Sequence, residues 1–358
     1  MFNYQHYVPA LKGKLGEYSA LKEISNNIKD KFTPLIEIPP IPFGKTITID
    51  KHIEKVGEKI KDNWGSNNIF FLDLPFIDLR ARLEKNIHPL EFLASDIRKR
   101  NLKMVPVTGF DRDEEYQKQI RKINLLDNMG FCLRIYLKDI NEMKLRLKDI
   151  KEITGINTAD IDLIFDLKYI TDEFVNLAQD FLPDRINSIP ELKDFRNFVF
   201  LATHFPRNLS QIKSYTIYPL TRYEWKIWRY LIKSKVVRKP TFGDYAIANP
   251  EIVQVDPRYM RMSLNIRYTA ENEWFIFKGG QLKRVGSGQF HKLSKKLFDH
   301  KNYCGEDFSS GDLYIKECAE YKVGPGNATT WRKVGTNHHI TFVVNQIKEL
   351  SNFSGIEA

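Results

Sequence analysis

The chain has 358 residues, of which 42% are hydrophobic and 13% are aromatic, so it can bury a large core. This composition excludes a disordered protein, and no run approaches the roughly 18 uninterrupted apolar residues of a membrane span. Lys and Arg number 55 against 45 Asp and Glu, and the net charge of +10 favours an anionic partner such as nucleic acid, a nucleotide or an acidic protein.

The N-terminal sequence and the cysteines predict a cytoplasmic protein. The first residues, MFNYQHYVP, lack the basic and apolar regions of a secretory signal. Cys132, Cys304 and Cys318 have neither the number nor the spacing of a disulfide framework or a four-ligand zinc site. We expect them to be reduced thiols.

The first elements of the chain predict a β/α unit that then recurs. Residues 7–39 contain an apolar run, a helical pattern and a second apolar run. Both runs end with an apolar residue, any residue and then a polar residue. The same ending occurs eight times, at intervals of 25 to 41 residues. The polar residues that close the runs are Lys12, Glu37, Asp73, Thr108, Arg134, Asp166, Thr203 and Asp244.

Helical patterns separate these apolar runs, for example at residues 90–100, 116–126, 142–153 and 223–233. Apolar strands that alternate with helices are typical of a parallel sheet covered on its outside. Eight such units predict a closed (β/α)8 TIM-like barrel, the α/β fold class. We expect the closing polar residues to point inward at the C-terminal mouth. For any single acid, the alternative is a helix N-cap or a loop charge.

The pattern changes after Asp244. A proline-containing loop leads to LNIRYTAENEWFIFKGG, which predicts a β-hairpin that turns at residues 270–272, and GSGQFHKLSKKLF and SSGDLYIKECAEY then predict two helices. GPGNATTWRKVGTNHH predicts a polar loop, and residues 339–350 predict the eighth barrel helix. The chain therefore contains an α+β insertion between strand 8 and helix 8. The predicted domains are 1–250 for barrel strands 1–8 and helices 1–7, 251–337 for the basic insertion and 338–358 for the final barrel helix.

Several phrases of the sequence resemble a known family. YVPALKGKLGEYSAL with PLIEI, IRYTAENEW, FSSGD and GNATTWRKVGTNHH are similar to the phage and bacterial "beta protein" family over nearly the whole chain. The resemblance carries over no functional residue. It implies a prokaryotic or phage source, a place in phage, mobile-element or antiviral defence biology, and a phage or defence-system protein as a candidate partner.

Carboxylates and cations are both expected at the predicted mouth. Three or four converging carboxylates would suit Mg²⁺ or Mn²⁺, which prefer oxygen ligands. Lysine or arginine side chains could instead neutralise the acids and leave an ion-pair ring that supports the fold. The predicted metal ligands are Glu37, Asp73, Asp166 and Asp244.

A second group lies before the last helix, where Trp331 and Arg332 precede His338 and His339. An imidazole suits proton transfer near neutral pH, and a guanidinium offers a planar fork to phosphate. We expect this loop to fold over the mouth, so that Arg332 and one histidine approach Asp244 and Glu37. The alternative is that either histidine caps the helix or lies on the surface with its hydrogen bonds satisfied.

The charge excess is C-terminal. Residues 1–200 carry 31 basic and 31 acidic side chains, whereas residues 201–358 carry 24 and 14. This asymmetry predicts salt-sensitive binding of an anion, mainly by residues 251–337. A solvated basic surface, with the aromatics forming a small core under the hairpin, is the alternative. The basic and aromatic residues concerned are Arg258, Arg261, Arg267, Lys278, Lys283 and Arg284, with Tyr259, Tyr268, Trp274 and Phe277.

The leading functional prediction is a metal-dependent phosphodiesterase or nuclease that acts on a nucleic acid or nucleotide. No P-loop, GxGxxG after a first strand, GxSxG or HExxH occurs, so the corresponding enzyme classes lose their usual support. The alternatives are a non-catalytic module that binds or senses nucleic acid, nucleotide or protein, and a structural protein with an ion-paired mouth. The predicted catalytic residues are His338, His339, Asp166 and Asp244, and the predicted phosphate-binding residues are Lys12, Lys14, Arg134, Arg267 and Arg332.

Overall fold

The computed structural model describes residues 2–252 and 263–353, in which strands and helices are numbered in chain order. The strands are β1 (Tyr7–Leu11), β2 (Leu35–Glu37), β3 (Ile69–Asp73), β4 (Lys103–Gly109), β5 (Phe131–Tyr136), β6 (Ile161–Tyr169), β7 (Asn197–Thr203), β8 (Ile217–Thr221), β9 (Thr241–Asp244), β10 (Ser263–Thr269) and β11 (Glu273–Gln281). The α-helices are α1 (Leu15–Lys22), α2 (Asn26–Lys29), α3 (Ile49–Ile53), α4 (Val56–Asn63), α5 (Pro89–Lys99), α6 (Glu114–Asp127), α7 (Met143–Thr154), α8 (Asp172–Asn187), α9 (Tyr223–Leu231), α10 (Leu282–Val285), α11 (Gln289–Phe298), α12 (Ser310–Ala319) and α13 (Ala328–Phe353).

Eight parallel strands form a closed barrel in the order β1-β2-β3-β4-β5-β6-β7-β9. The ring closes at β1, where Ala10 lies beside Leu35 of β2 and Val8 lies beside Gly243 of β9. Helices cover the outside of the barrel. The predicted α/β TIM-like barrel is therefore confirmed, with its eighth strand at β9.

The barrel strands bury both of their faces. Alternate residues point to opposite sides of a strand, so one set fills the interior and the other packs under the helices. On β9, for example, Phe242 packs outward against Trp225 and Trp228 of α9. The interior layer contains Val8, Ala10, Leu35, Phe71, Val105, Val107, Cys132, Ile164, Val199, Leu201 and Tyr245. Apolar side chains are needed on both faces, which explains the near-continuous apolar runs in the sequence.

A three-stranded antiparallel sheet, in the order β10-β11-β8, lies beside the barrel. The predicted hairpin is present as β10 and β11, and its turn lies between Thr269 and Glu273. The third strand, β8, was not predicted, and it comes from the connection between β7 and α9. Pro219 lies within this edge strand, where a missing backbone N–H is tolerated.

The final helix begins earlier than the sequence pattern indicated. The segment from Ala328 to His339 is helical, so the prediction of a polar loop there is wrong. The Asn327 side chain accepts hydrogen bonds from the backbone N–H groups of Thr329 (2.9 Å) and Thr330 (3.1 Å), and it therefore caps the helix. None of the helices in the described ranges is long and apolar enough to cross a bilayer.

Two glycines allow α13 to pack closely against its neighbours. A Cβ atom at Gly16 of α1 would lie 2.7 Å from the Thr329 carbonyl oxygen and 2.9 Å from the Arg332 side chain. A Cβ atom at Gly335 would lie 3.0 Å from the Arg267 carbonyl oxygen on β10. Helix α13 therefore touches both the barrel and the small sheet, and it fixes Arg332 between them.

Candidate functional site

The barrel mouth holds a buried ion-pair cluster centred on Arg134. One guanidinium nitrogen, Nη1, donates to Glu37 Oε1 and Asp73 Oδ2, both at 2.7 Å. The Nε and Nη2 atoms donate to Asp166 Oδ2 at 3.0 and 2.7 Å. The Tyr245 hydroxyl accepts from Nη2 and donates to Asp166, each at 2.7 Å. All five side chains are buried, so one arginine links three strand ends.

Two further cations complete the charge balance of this mouth cluster. Lys12 Nζ lies 2.5 Å from Glu37 Oε2 and from the Pro250 carbonyl oxygen. Arg112 Nη2 donates to Asp73 Oδ1 at 3.0 Å. Burial alone would raise the pKa of Glu37, but the charges of Lys12 and Arg134 outweigh it and lower that pKa. Three acids thus face three bases, which is the ion-pair alternative of the sequence analysis.

The four predicted metal ligands do not converge. Glu37, Asp73 and Asp166 surround Arg134, whereas Asp244 lies in a separate network on the outside of the barrel. The expectation that Asp244 points into the mouth is wrong, because it shares the outward face of β9 with Phe242. Within residues 2–252 and 263–353, no group of three or more His, Cys, Asp or Glu side chains is arranged to hold a metal ion.

Asp244 instead joins the barrel to α13. Its carboxylate accepts hydrogen bonds from the Tyr7 hydroxyl (2.5 Å) and from His339 Nε2 (2.9 Å). The other ring nitrogen of His339, Nδ1, lies 2.7 Å from the Thr269 hydroxyl. Burial lowers the pKa of His339, so a neutral ring donates to Asp244 and accepts from Thr269. The predicted approach of a histidine to Asp244 occurs, but beneath a helix and not at the mouth.

His338 is also buried, and it contacts α12 and β10. Its Nδ1 atom lies 2.8 Å from Asp312 Oδ2, and Nε2 donates to the Thr269 carbonyl oxygen at 2.8 Å. The ring stacks on Tyr268 with a centroid distance of 3.8 Å, and the Tyr268 hydroxyl donates to Asp312 Oδ1 at 2.7 Å. Both histidines therefore have structural partners at both ring nitrogens, and neither is exposed.

Two arginines meet beside the mouth, at one carbonyl oxygen. Arg267 of β10 and Arg332 of α13 both donate through Nη1 to the Ile247 carbonyl oxygen, at 2.7 and 3.3 Å. The Arg267 guanidinium also lies 4.8 Å from the centre of the Phe205 ring. Burial and the nearby charge of Arg332 lower the pKa of Arg267. No carboxylate of a described residue forms an ion pair with either guanidinium.

These arginines line an open cleft, here called the basic cleft, between the mouth and the small sheet. Its smaller part has a volume of about 170 Å³. Partial burial lowers the pKa of Lys14; Glu17 opposes this shift, and the charges of Arg332 and Lys12 add to it. Arg207 is exposed at the rim, 3.1 Å from Glu251. The cations of the basic cleft are Lys12, Lys14, Arg207, Arg267 and Arg332.

A larger cavity of about 690 Å³ shares Asn208, Leu209, Arg267 and Arg332 with the smaller part. It extends between β10, α11 and the first turn of α13. Its remaining lining combines apolar, amide and serine side chains with one further cation, Lys278. The apolar and amide residues include Leu264, Leu282, Phe290, Trp331, Asn265 and Asn327. The cleft and this large cavity therefore form one continuous depression with a cationic part and an apolar part.

The remaining residues of the predicted basic insertion have other positions. Tyr268, Trp274 and Phe277 are buried in the small sheet, as the core alternative stated. Lys278 donates to the Leu209 and Ile212 carbonyl oxygens, each at 2.5 Å, and so holds the β7–β8 connection against β11. Lys283 and Arg284 are exposed. Arg258, Tyr259 and Arg261 lie outside the described residues.

Sequence reasoning missed two members of the mouth cluster, Tyr245 and Arg112. Arg112 follows β4 by three residues, so the rule that βα loops lie at the mouth would have placed it there. Tyr245 follows Asp244, and the two-residue period of a strand makes one of the pair face inward. The sequence does not say which one, because both faces of the strand are apolar.

These features define a class of protein: a closed α/β barrel with a small antiparallel sheet at its rim, an ion-paired mouth and a basic cleft. The sequence profile of the Beta protein family matches residues 7–345, and the chain therefore belongs to the Beta protein family.

No curated protein matches the chain. Among solved structures, it is similar to triosephosphate isomerase from Bartonella henselae, with 11% identity and a TM-score of 0.34 over 67% of this chain and 92% of the other. It is also similar to the enoyl reductase domain of MlnA from the macrolactin biosynthesis cluster of Bacillus amyloliquefaciens. That match has 9% identity and a TM-score of 0.37 over 99% of this chain and 84% of the other.

Proposed function

We propose that this protein is a binding module for a phosphate-bearing ligand, which it holds in the basic cleft. The observation that supports the proposal is the meeting of Arg267 and Arg332 at the single carbonyl oxygen of Ile247. Lys14, whose pKa is lowered by burial and further by the charge of Arg332, lies on the barrel side of the same cleft. The cleft thus draws on both the barrel and the inserted segment.

The electrostatics of the cleft favour an anion. Burial is the main cause that lowers the pKa values of Lys14 and Arg267, and the charge of Arg332 lowers both further. A phosphate group between the guanidiniums would reverse the effect, because each fork can donate two hydrogen bonds to its oxygens. Each guanidinium uses Nη1 for the Ile247 carbonyl oxygen, and no described residue accepts a hydrogen bond from Nη2 of either arginine.

The geometry favours binding over hydrolysis by the residues predicted from the sequence. A general acid must reach the leaving oxygen, but His338 and His339 are buried and hydrogen-bonded through both ring nitrogens. Asp166 is held by Arg134 and Tyr245. Phosphodiesterase or nuclease activity, with Mg²⁺ or Mn²⁺ as cofactor, stays a prediction.

The predictions about biological role and partner come from the family resemblance. A role in phage or mobile-element biology, including antiviral defence, is the corresponding prediction. A phage or defence-system protein is the predicted macromolecular partner, and the cytoplasm is the predicted location.

Calorimetric titration with inorganic tripolyphosphate tests the binding proposal. We expect Arg332→Gln and Lys14→Gln each to weaken binding by about tenfold or more, and we expect the wild-type affinity to fall as salt rises. Arg121→Gln, at an exposed position on α6, is the matched control and should bind like the wild type. Equal affinity in all four proteins would contradict the proposal. Release of orthophosphate during the titration would instead indicate hydrolysis of phosphoanhydride bonds.

A further inference from the structure

We infer that the ligand of the basic cleft is a nucleoside di- or triphosphate, with its phosphates at Arg267 and Arg332 and its base in the large cavity. The inference rests on the proposed phosphate-binding function and adds the class of ligand. It follows from the size of the large cavity, from the change in its lining along its length and from the balance of charge at its cationic end.

The size of the large cavity suits one nucleotide. Its volume of about 690 Å³ lies within the range of roughly 300 to 1,000 Å³ that is typical of small-molecule sites. A phosphate group alone would occupy only the part beside Arg267 and Arg332. The remaining space extends toward α11, away from Arg267 and Arg332.

The lining changes from cationic to apolar along the large cavity. Arg267 and Arg332 lie where it joins the smaller part of the cleft, whereas Leu264, Leu282 and Phe290 form an apolar wall. Phe290 stacks on Trp331 with a centroid distance of 4.8 Å, and Trp331 Nε1 is fixed by a 2.9 Å hydrogen bond to the Pro325 carbonyl oxygen. The wall is therefore held in place before a ligand binds, as a preorganised site requires.

Side-chain amides supply directional contacts near this wall. Asn327 Oδ1 accepts from the first turn of α13, and Asn208 Oδ1 accepts from the Ser210 backbone N–H at 3.0 Å. The carbonyl ends of both amides are thus engaged, and both amide nitrogens retain their hydrogens as donors. Carbonyl oxygens and ring nitrogens of nucleobases are acceptors that such donors recognise.

The charge balance fits more than one phosphate. Among the described residues that line the depression, Lys14, Arg267, Lys278 and Arg332 provide four positive charges, and Glu17 provides one negative charge. Arg207 is paired with Glu251. Lys12 is already paired with Glu37. The excess of three positive charges matches the roughly three negative charges of a nucleoside diphosphate better than the single charge of a diester or the about two charges of a monophosphate. A nucleoside diphosphate would also use both ends of the depression.

Calorimetric titrations with pyrophosphate and with the diphosphates of adenosine, guanosine, cytidine and uridine test the inference. We expect at least one nucleoside diphosphate to bind about fivefold or more tightly than pyrophosphate, because its base removes apolar surface from water. If pyrophosphate binds and all four nucleotides gain less than this, the inference is overturned and the phosphate-binding proposal stands. If neither pyrophosphate nor any nucleotide binds, both fail.

A variant that fills the large cavity tests the contribution of its apolar part separately from that of its cationic end. Ser287→Phe places a ring at the half-buried start of α11 and should remove most of the advantage of the nucleotide while pyrophosphate still binds. Ser66→Phe, at an exposed position before β3, is the control and should keep that advantage. An unchanged nucleotide affinity in Ser287→Phe would overturn the inference. Binding of a ten-residue thymidine oligonucleotide without binding of any mononucleotide would also overturn it, in favour of a polymer.

Discussion

The side chain of Arg134 determines the character of the barrel mouth. Three carboxylates from β2, β3 and β6 would repel one another in a buried space, and a guanidinium with five N–H groups can bond to all of them at once. Lys12 and Arg112 neutralise the remaining negative charge of the carboxylates. Removing one partner of such a cluster leaves buried charge without compensation, which is costly.

Replacement of Arg134 by methionine should therefore be strongly destabilising. We expect a loss of about 3–5 kcal/mol in the free energy of unfolding, measured by urea denaturation at pH 7. Arg98→Met is the control, because Arg98 pairs with Asp127 at a partly exposed position and should cost about 1 kcal/mol or less. Equal losses in the two variants would show that the mouth cluster does not support the fold.

The raised pKa of the Glu224 carboxyl group predicts a loss of stability at alkaline pH. Burial raises its pKa to about 8 from an ordinary value of 4.5, although the charge of Arg222 opposes this shift. The folded state therefore binds the proton more tightly than the unfolded state, so this stability is full below pH 4.5 and is lost as pH rises through 8.

The corresponding measurement is the melting temperature between about pH 6 and 9 for the wild type and Glu224→Gln. The variant cannot ionise at this position and should lose less stability over the interval. The backbone N–H of His204 donates to Glu224 Oε2 at 3.1 Å, and the side-chain oxygen of the glutamine can still accept this hydrogen bond. Parallel curves for the two proteins would assign the alkaline loss to other groups.

The sequence predicted which residues share one face of a strand, but not whether that face points into the barrel or outward. The period of two placed Lys12, Glu37, Asp73, Arg134 and Asp166 correctly in the mouth. It failed for Thr108, which bonds to Gln117 of α6, and for Asp244, because an apolar neighbour two residues earlier marks a shared face without saying whether that face is inside or outside. In a parallel barrel both faces are apolar, so only the packing against the helices decides.

At the scale of elements, α13 carries the main difference from the sequence prediction. Its first turns contain Gly, Thr and Asn residues that are typical of loops, and Asn327 is in fact the cap. The helix places His339 against the barrel and His338 against α12, so it holds the two parts of the protein together. Two of the predicted catalytic residues are thus part of the packing of this helix.

Gly16→Ala tests the close approach of α1 and α13. The added Cβ would meet the Thr329 carbonyl oxygen and the Arg332 side chain, so we expect a cost of about 1–3 kcal/mol and weaker binding of tripolyphosphate. Gly288→Ala is the matched control, because it has helical backbone angles and nothing within 4 Å of the new atom. Thermal melts and titrations of both variants provide the readout. A Gly16→Ala protein that melts and binds like the control would show that this contact is not tight.

At the scale of the whole molecule, the barrel was predictable, and so was the grouping of Lys12, Lys14, Arg267 and Arg332, but the shape of the cleft was not. Eight apolar runs with helices between them allow few other topologies. The small sheet needs β8, a strand that the chain inserts before the barrel is complete. The cleft joins Lys14, Arg267 and Arg332, which lie far apart in the sequence and show no local pattern.

The predicted Mg²⁺ or Mn²⁺ site can be tested on the intact protein. Because Arg134 occupies the centre of the carboxylates, we expect no rise in melting temperature with either ion at about millimolar concentration. Glu37→Gln, which removes one of the predicted ligands, is the control that distinguishes binding at the mouth from a general effect of the ion. A rise that depends on ion concentration in the wild type and disappears in the variant would support the metal prediction and contradict the ion-pair interpretation.

The central claim is that the basic cleft, and not the barrel mouth, is where this protein binds its ligand. The most direct measurement is anomalous diffraction from a crystal soaked in tungstate, a tetrahedral oxyanion that substitutes for phosphate. We predict a peak between Arg267 and Arg332, on the side of Lys14. A crystal with tungstate at the mouth cluster and none between the two arginines would contradict the claim.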